Sequence, residues 1–234
     1  MKRVMTVLGL SVAMVLSASI KTGAQSKKKG KGPELAICKR GKLIFEDDFS
    51  GKDLMWTYKP DKCDWKVMKG MLATKSTGEH FEIGIQQSLA PLSDAVSEFR
   101  LFLPTPGGVH VSMNERPGFP LAGIERSVVS PGRLSIITAS PEGVRVHATS
   151  PFSFRKSSWI NVIFEKLGPR YALTVGDRTI TYNLSPGEEV KVSQLWFMPI
   201  KKTSDIFAID DVKVYEALPK DEGENEDEKG KKKK

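Results

Sequence analysis

The side chains best suited to chemistry sit on segments that alternate like strands. In 95–103, Glu98, Arg100 and Phe102 alternate with Phe99, Leu101 and Leu103; in 108–114, His110, Ser112 and Asn114 alternate with Val109, Val111 and Met113. In 143–149, Arg145, His147 and Thr149 alternate with Val144, Val146 and Ala148. Successive strand residues face opposite ways, so each segment predicts one apolar and one polar side. Charged and amide groups lined up on one sheet face suit a hydroxyl-rich ligand. A solvated outer face, common in antiparallel sheets, produces the same pattern and is the competing reading. Trp65, Trp159 and Trp196 lie within alternating strands, which predicts core packing. Trp56 follows the first strand in a loop and is the tryptophan placed to stack on a sugar.

Metal and redox chemistry have thinner support. The three histidines, His80, His110 and His147, share no short ligand spacing; His110 and His147 could meet only across strands. Asp48 and Asp210 belong to the first and last strands. If those strands are neighbours, the two acids could hold a structural calcium with backbone oxygens, or simply cap strand ends. No other cofactor is implied. Two cysteines, Cys38 and Cys63, read as a disulfide in an exported chain, with two buried thiols as the alternative. The bridge would close a loop of about 25 residues and stabilise by roughly 3 kcal/mol. No Ser-His-Asp order, phosphate loop or nucleotide fingerprint is present.

The elements that must position these groups are strands throughout. Residues 159–184 read as a three-stranded meander turning at Leu167-Gly168-Pro169 and at Gly176-Asp177. Further strands are expected at 42–49, 81–89, 95–103, 108–114, 121–129, 133–139, 143–149, 192–199 and 206–216, with a hairpin in 64–75 turning at Lys69-Gly70. Pro and Gly punctuate these runs, and none shows a capped helical period. The fold class expected is all-β, an antiparallel two-sheet sandwich or jelly roll.

Both ends differ from the middle. Lys2 and Arg3, an apolar run from Val4 to about Ile20 and the small residues Thr22-Gly23-Ala24 predict a signal peptide over 1–24, and hence a secreted, periplasmic or extracellular protein. An uncleaved anchor is the alternative, the apolar run being near the lower limit for a span. Residues 25–34 form a basic linker, 35–218 the folded domain and 219–234 a charged tail expected to be disordered. The chain's net charge is +8, but the signal and linker lysines and arginine supply most of it and the tail sums to zero. That leaves 35–218 at about +2, which argues against nucleic acid as a partner. The terminal lysines Lys231–Lys234 could touch an anionic cell-surface polymer, or only keep the tail soluble.

Three pieces in order resemble the concanavalin A-like lectin/glucanase superfamily. They are the opening Phe45-Glu46-Asp47-Asp48-Phe49 followed by Trp56 and Trp65-Lys66-Val67; the meander with Tyr171-Ala172-Leu173-Thr174-Val175-Gly176-Asp177; and the close Ile209-Asp210-Asp211-Val212-Lys213-Val214-Tyr215. The resemblance covers about 43–217, and is nearest to laminin G-like and 3-keto-disaccharide hydrolase-like secreted domains. It implies two packed antiparallel sheets, first and last strands adjacent, and glycan binding on a concave face. The laminarinase-type pattern E-x-D-x-x-E is absent: Glu79-His80-Phe81-Glu82 and Glu98-Phe99-Arg100 do not fit it, and only Glu98 and Glu125 could pair from separate strands. A glycan-binding or extracellular interaction module without strong catalysis is therefore expected. A glycoside-cleaving enzyme of the 3-keto-disaccharide hydrolase-like type and a structural cell-surface protein are the alternatives.

Overall fold

A computed structural model describes residues 33–51, 54–58, 64–75, 84–103, 107–114, 120–126, 132–140, 143–153, 158–185, 191–200 and 206–220. The signal segment, most of the linker and most of the tail lie outside them. From Glu34 onward the chain forms one compact unit, and its regular structure among the described residues is all strand. No described helix is long and apolar enough to cross a membrane.

Eight strands make one sheet, here sheet A. They are β1 (Lys39–Asp47), β3 (Lys66–Val67), β4 (Leu72–Lys75), β6 (Ala95–Phe102), β11 (Ile160–Leu167), β12 (Arg170–Val175), β13 (Arg178–Asn183) and β15 (Ile206–Leu218). Their order is β13-β12-β11-β6-β15-β4-β3, with β1 also paired to β15. Seven strands make sheet B: β2 (Thr57–Tyr58), β5 (Ile85–Leu92), β7 (Gly107–Ser112), β8 (Pro120–Arg126), β9 (Gly132–Ser140), β10 (Gly143–Phe152) and β14 (Val192–Pro199). They run in the order β10-β9-β8-β7-β14-β5-β2, and every pairing in both sheets is antiparallel. This is the expected all-β jelly-roll sandwich, with first and last strands paired from Lys39↔Leu218 to Asp47↔Val212.

Alternation determines which side chains fill the space between the sheets. Phe99, Leu101, Val162, Phe164 and Leu173 of sheet A meet Val109, Val111, Ile124, Ile136, Leu195 and Phe197 of sheet B in one continuous core. The meander forms as its turns predict. Gly168 (φ 55°) and Gly176 (φ 60°) each occupy the first turn position with a positive φ, a conformation costly to a residue with a Cβ. The 64–75 hairpin turns at Lys69 (φ 53°) and Gly70 (φ 72°).

The expectations for three tryptophans change. Trp56 is not an exposed loop residue; it is 4 % exposed and belongs to the core. The short β2 that follows it holds the chain against β5, which places the indole among Phe45, Phe49 and Phe197 at centroid distances of 5.8, 6.0 and 5.7 Å. Its Nε1–H donates to Asp47 Oδ2 at 2.9 Å. Trp159 and Trp196, expected in the core, are only half-buried, because Ile160, Leu195 and Phe197 take the inward positions beside them. Trp65 is core as expected, edge-on to Phe207.

Trp56→Ala should cost about 3–5 kcal/mol, as removal of a buried aromatic does, without loss of any ligand contact. Urea unfolding of wild type and variant measures it; a loss below about 1 kcal/mol would mean that Trp56 does not occupy the core.

Candidate functional site

The polar residues singled out from the sequence do not share one face. Glu98 and Arg100 lie on β6 of sheet A; His110 lies on β7 and Arg145 and His147 on β10, both in sheet B, with Asn114 just after β7. The segment between β6 and β7 carries the chain from one sheet to the other. Alternation specifies a side of each strand but not which sheet the strand joins.

The outer face of sheet A is a lattice of paired charges. Arg40 bonds Glu98, and Lys213 bonds Glu46 at 2.7 Å. The Glu46 bond holds Lys213 above its ordinary pKa, partly opposed by burial. Among these charges, Tyr215 is raised first by burial and then by Glu98. Arg100 bonds Asp210 through Nη2, and its Nε lies 2.7 Å from Asp211. Burial pushes the Asp210 carboxyl above the ordinary carboxylate value, and the Arg100 charge works against that rise. Glu98 and Arg100 are thus engaged within the protein.

The same face holds a small second core. Leu35 and Cys38 of the entering chain pack on Val96, Ile163 and Leu167. The fully buried Glu165 accepts the amides of Ala36 and Ile37 at 2.8 and 2.9 Å and the Cys38 thiol at 3.3 Å. The expected disulfide is not seen: Cys38 is a free, buried thiol, and Cys63 lies outside the described residues. Burial, then the Glu165 charge, pushes the Cys38 thiol far up, so it stays protonated.

The first half of β10 does not show the expected alternation, and Arg145 is exposed beside its valine neighbours. Val144 and Val146 stand on the outer side, 59 % and 49 % exposed, opposite Ala139 and Ile137 of β9. The register shifts between Val146 and Ala148, leaving His147 as the extra residue. His147 lies within hydrogen-bond distance of Thr138 (Nε2···Oγ1 3.0 Å) and stacks on Tyr182 of sheet A, ring centroids 4.1 Å apart. It closes the open edge of the sandwich, while His110 faces outward on β7, so the two histidines do not form a metal pair. Asp48 accepts the Ser50 amide at 3.0 Å and Asp210 is held by Arg100. Among the described residues no group of three or more His, Cys, Asp or Glu converges as a metal site. Glu98 and Glu125 belong to different sheets; Glu79, His80 and Glu82 lie outside the described residues.

What the structure does bring together is the outer face of sheet B. Trp196 of β14 lies opposite Ser112 of β7 on one side and Gln86 of β5 on the other, and Met198 lies opposite His110. Two glycines make the floor. A Cβ at Gly84 would run into the Trp196 indole, and one at Gly123 would run into Ser135 Oγ with His110 Cδ2 3.6 Å away. Met198, Leu121 and Ile137 form an apolar strip there, each buried although outside the main core. Gln194, fully buried, donates through Nε2 to the Asn114 carbonyl at 2.9 Å, to which the Ser112 hydroxyl also donates at 2.8 Å. Of the candidates drawn from the sequence, only His110 and Asn114 belong here. Trp196, which sequence reasoning placed in the core, faces outward because its neighbours Leu195 and Phe197 both point into the core; the unbroken apolar run Leu195-Trp196-Phe197-Met198 hides that parity.

No family model matches the chain, and its sequence matches no curated protein. Solved structures are similar in fold. A laminarinase from Flavobacterium sp. UMI-01 superposes with a TM-score of 0.52 at 17% identity, covering 75% of this chain and 100% of that one. SCLam, a non-specific endo-beta-1,3(4)-glucanase from family GH16, gives 0.57 at 13%, covering 79% and 94%. The CBM2 module of the evolved Dit of Lactobacillus casei BL23 phage J-1 gives 0.57 at 9%, covering 79% and 100%. These likenesses are of fold: a two-sheet antiparallel jelly-roll sandwich.

Two outcomes test the pairing described above. Denaturing the full chain without reductant and alkylating it should label Cys38, read by peptide mass; an unlabelled Cys38 would mean a disulfide. Arg100→Met should cost about 1–3 kcal/mol at neutral pH, because it leaves the Asp210 carboxylate with only the Asp211 amide. The pKa of Asp210 then rises further in the folded state. The folded variant therefore binds a proton at pH values where the unfolded chain does not, and its stability deficit shrinks as pH falls through the folded-state pKa towards 3.8. Unfolding curves at pH 7 and pH 5 that show a constant deficit would refute this role for Arg100.

Proposed function

We propose that this protein is an exported glycan-binding module without strong catalysis, and that the glycan lies on the outer face of sheet B. One observation carries the reading. The outward positions of the three strands β5, β14 and β7 hold Gln86, Ser88, Trp196 and His110 at least partly exposed, with Gln194, Met198 and Ser112 buried among them, and no Lys, Arg, Asp or Glu. The outer face of sheet A, by contrast, is paired charge. An aromatic ring beside amides, hydroxyls and an imidazole presents a stacking surface and neutral donors and acceptors, which is what an uncharged, hydroxyl-rich ligand needs. Export is supported by the basic and apolar N-terminal sequence, and the fold shared with a carbohydrate-binding module and two glucanases agrees with glycan as the ligand class.

Hydrolysis is the weaker reading. It needs two carboxylates facing one cleft, about 5–10 Å apart. Among the described residues the only acid of sheet B outside its loops is Glu125, at the far end of β8. The finer likeness to 3-keto-disaccharide hydrolase-like domains is tested by incubation with oxidised disaccharides, for which no turnover is expected.

A glycan array with the full chain lacking residues 1–24, followed by calorimetry on the best neutral hit, tests the proposal. Trp196→Ala should weaken binding at least tenfold, about 1.4 kcal/mol, with little change in thermal midpoint. His110→Ala should weaken it several-fold. Binding to no glycan, or undiminished affinity in Trp196→Ala, overturns the assignment.

A further inference from the structure

We infer that the outer face of sheet A carries a second sugar site, a subsite for one neutral pyranose ring built by Trp159, Phe102, Arg100, Asn161 and Asp211. Three adjacent strands supply it. The β11–β6 register runs Ile160↔Leu101 and Asn161↔Arg100, so Trp159 stands across from Phe102. Ile160 and Leu101 point into the core; their neighbours therefore point out. The two rings meet at 5.8 Å with their planes at 57°, and both are half-buried. They form an apolar notch beside the charge pairs of that face.

Polar groups ring the notch with fixed geometry. The Arg100 guanidinium lies 5.2 Å from the Trp159 ring centroid, held by Asp210 through Nη2 and by Asp211 near Nε. Among the described residues Nη1 has no partner, and it is the end left to donate to a hydroxyl. Asn161, exposed and across from Arg100, adds a donor and an acceptor. Asp211 adds a carboxylate 50% exposed. Its backbone is in the left-handed region (φ 49°), at the register shift between Asp210 and Lys213. Asp is among the few residues besides Gly that adopt that conformation readily, and here its carboxylate lies against the Arg100 guanidinium.

The charge of the cluster selects the ligand. One guanidinium faces two carboxylates, so the site is net negative and repels phosphates, sulfates and uronic acids. An aromatic pair with a donor, an amide and a carboxylate suits a sugar ring whose apolar face stacks and whose adjacent hydroxyls are held at the edge. The site shares no residue with the face of sheet B and does not depend on that face binding anything.

Calorimetry and tryptophan fluorescence with a panel of neutral hexaoses (β-1,3-glucan, β-1,4-glucan and mannan), and with a polyuronate as charge control, test it on the full chain lacking residues 1–24. The Trp196→Ala variant should still bind one neutral oligosaccharide per chain with a change in fluorescence, and not the polyuronate. Adding Trp159→Ala should abolish that binding. Asn161→Ala, at an exposed position with no packing to lose, should weaken it at least fivefold with the thermal midpoint unchanged, which guards against misfolding of the tryptophan variant. If Trp196→Ala binds none of the hexaoses, or binds them equally well with Asn161→Ala added, the second site does not exist. Wild type binding one hexaose that Trp196→Ala abolishes would leave the sheet B reading standing and overturn this one alone.

Discussion

The last strand is the constraint on which the rest of the sandwich depends. β15 pairs with β6 along one edge and with both β4 and β1 along the other. A regular strand of 13 residues would carry its twist past the point where β4 gives way to β1. The shift at Asp210–Lys213 breaks the run there, with Asp211 in a left-handed conformation. Arg100 ties down the residues at that shift. It reaches from the central strand β6 to both carboxylates at the shift, and Trp159 packs against its guanidinium. One ion-paired cluster thus holds the point where the two halves of β15 diverge, and through it the termini of the domain and both flanks of sheet A.

The entering chain is tied down on the same logic. A carboxylate with no exposure would be expensive to bury unless its charge were met by donors. Glu165 meets it with two backbone amides and a thiol from residues 36–38, so the strap and the carboxylate stabilise each other. Cys38 contributes as a hydrogen-bond donor and an apolar packing group, not as half of a crosslink. A sandwich with this much core has no need of one.

How far this was legible in the sequence follows the kind of information involved. Alternation is local, and it located the strands of the meander, the β6 and β7 segments and β14 closely. The Gly168 and Gly176 turns were readable because few residues tolerate a positive φ. Sheet membership is not local. Glu98 and His110 sit on consecutive strands with the same polar alternation, yet they face opposite sides of the molecule. Bulges are invisible to periodicity as well: at His147 one extra residue shifts the register of β10, so Val144 and Val146 are exposed and His147 turns onto Tyr182. Trp56 was misjudged because a two-residue strand has no period to detect, and Trp196 because an uninterrupted apolar run hides parity.

The two faces differ in a way that composition alone could not reveal. The folded part is nearly neutral, but neutrality arises differently on each sheet. On sheet A every strong charge named is answered by another, and the aromatic notch beside Arg100 offers a surface that those charge pairs do not use. On the middle strands of sheet B neutrality comes from the absence of charged side chains. Desolvating amides, hydroxyls and an indole costs far less than desolvating ions, so that face can give up its water to a ligand of similar polarity. The missing side chain at Gly84 leaves the space that the Trp196 indole occupies, and the one at Gly123 leaves room for the Ser135 hydroxyl beside His110. A face that is uncharged, partly apolar and floored by glycine is shaped for contact with something other than water.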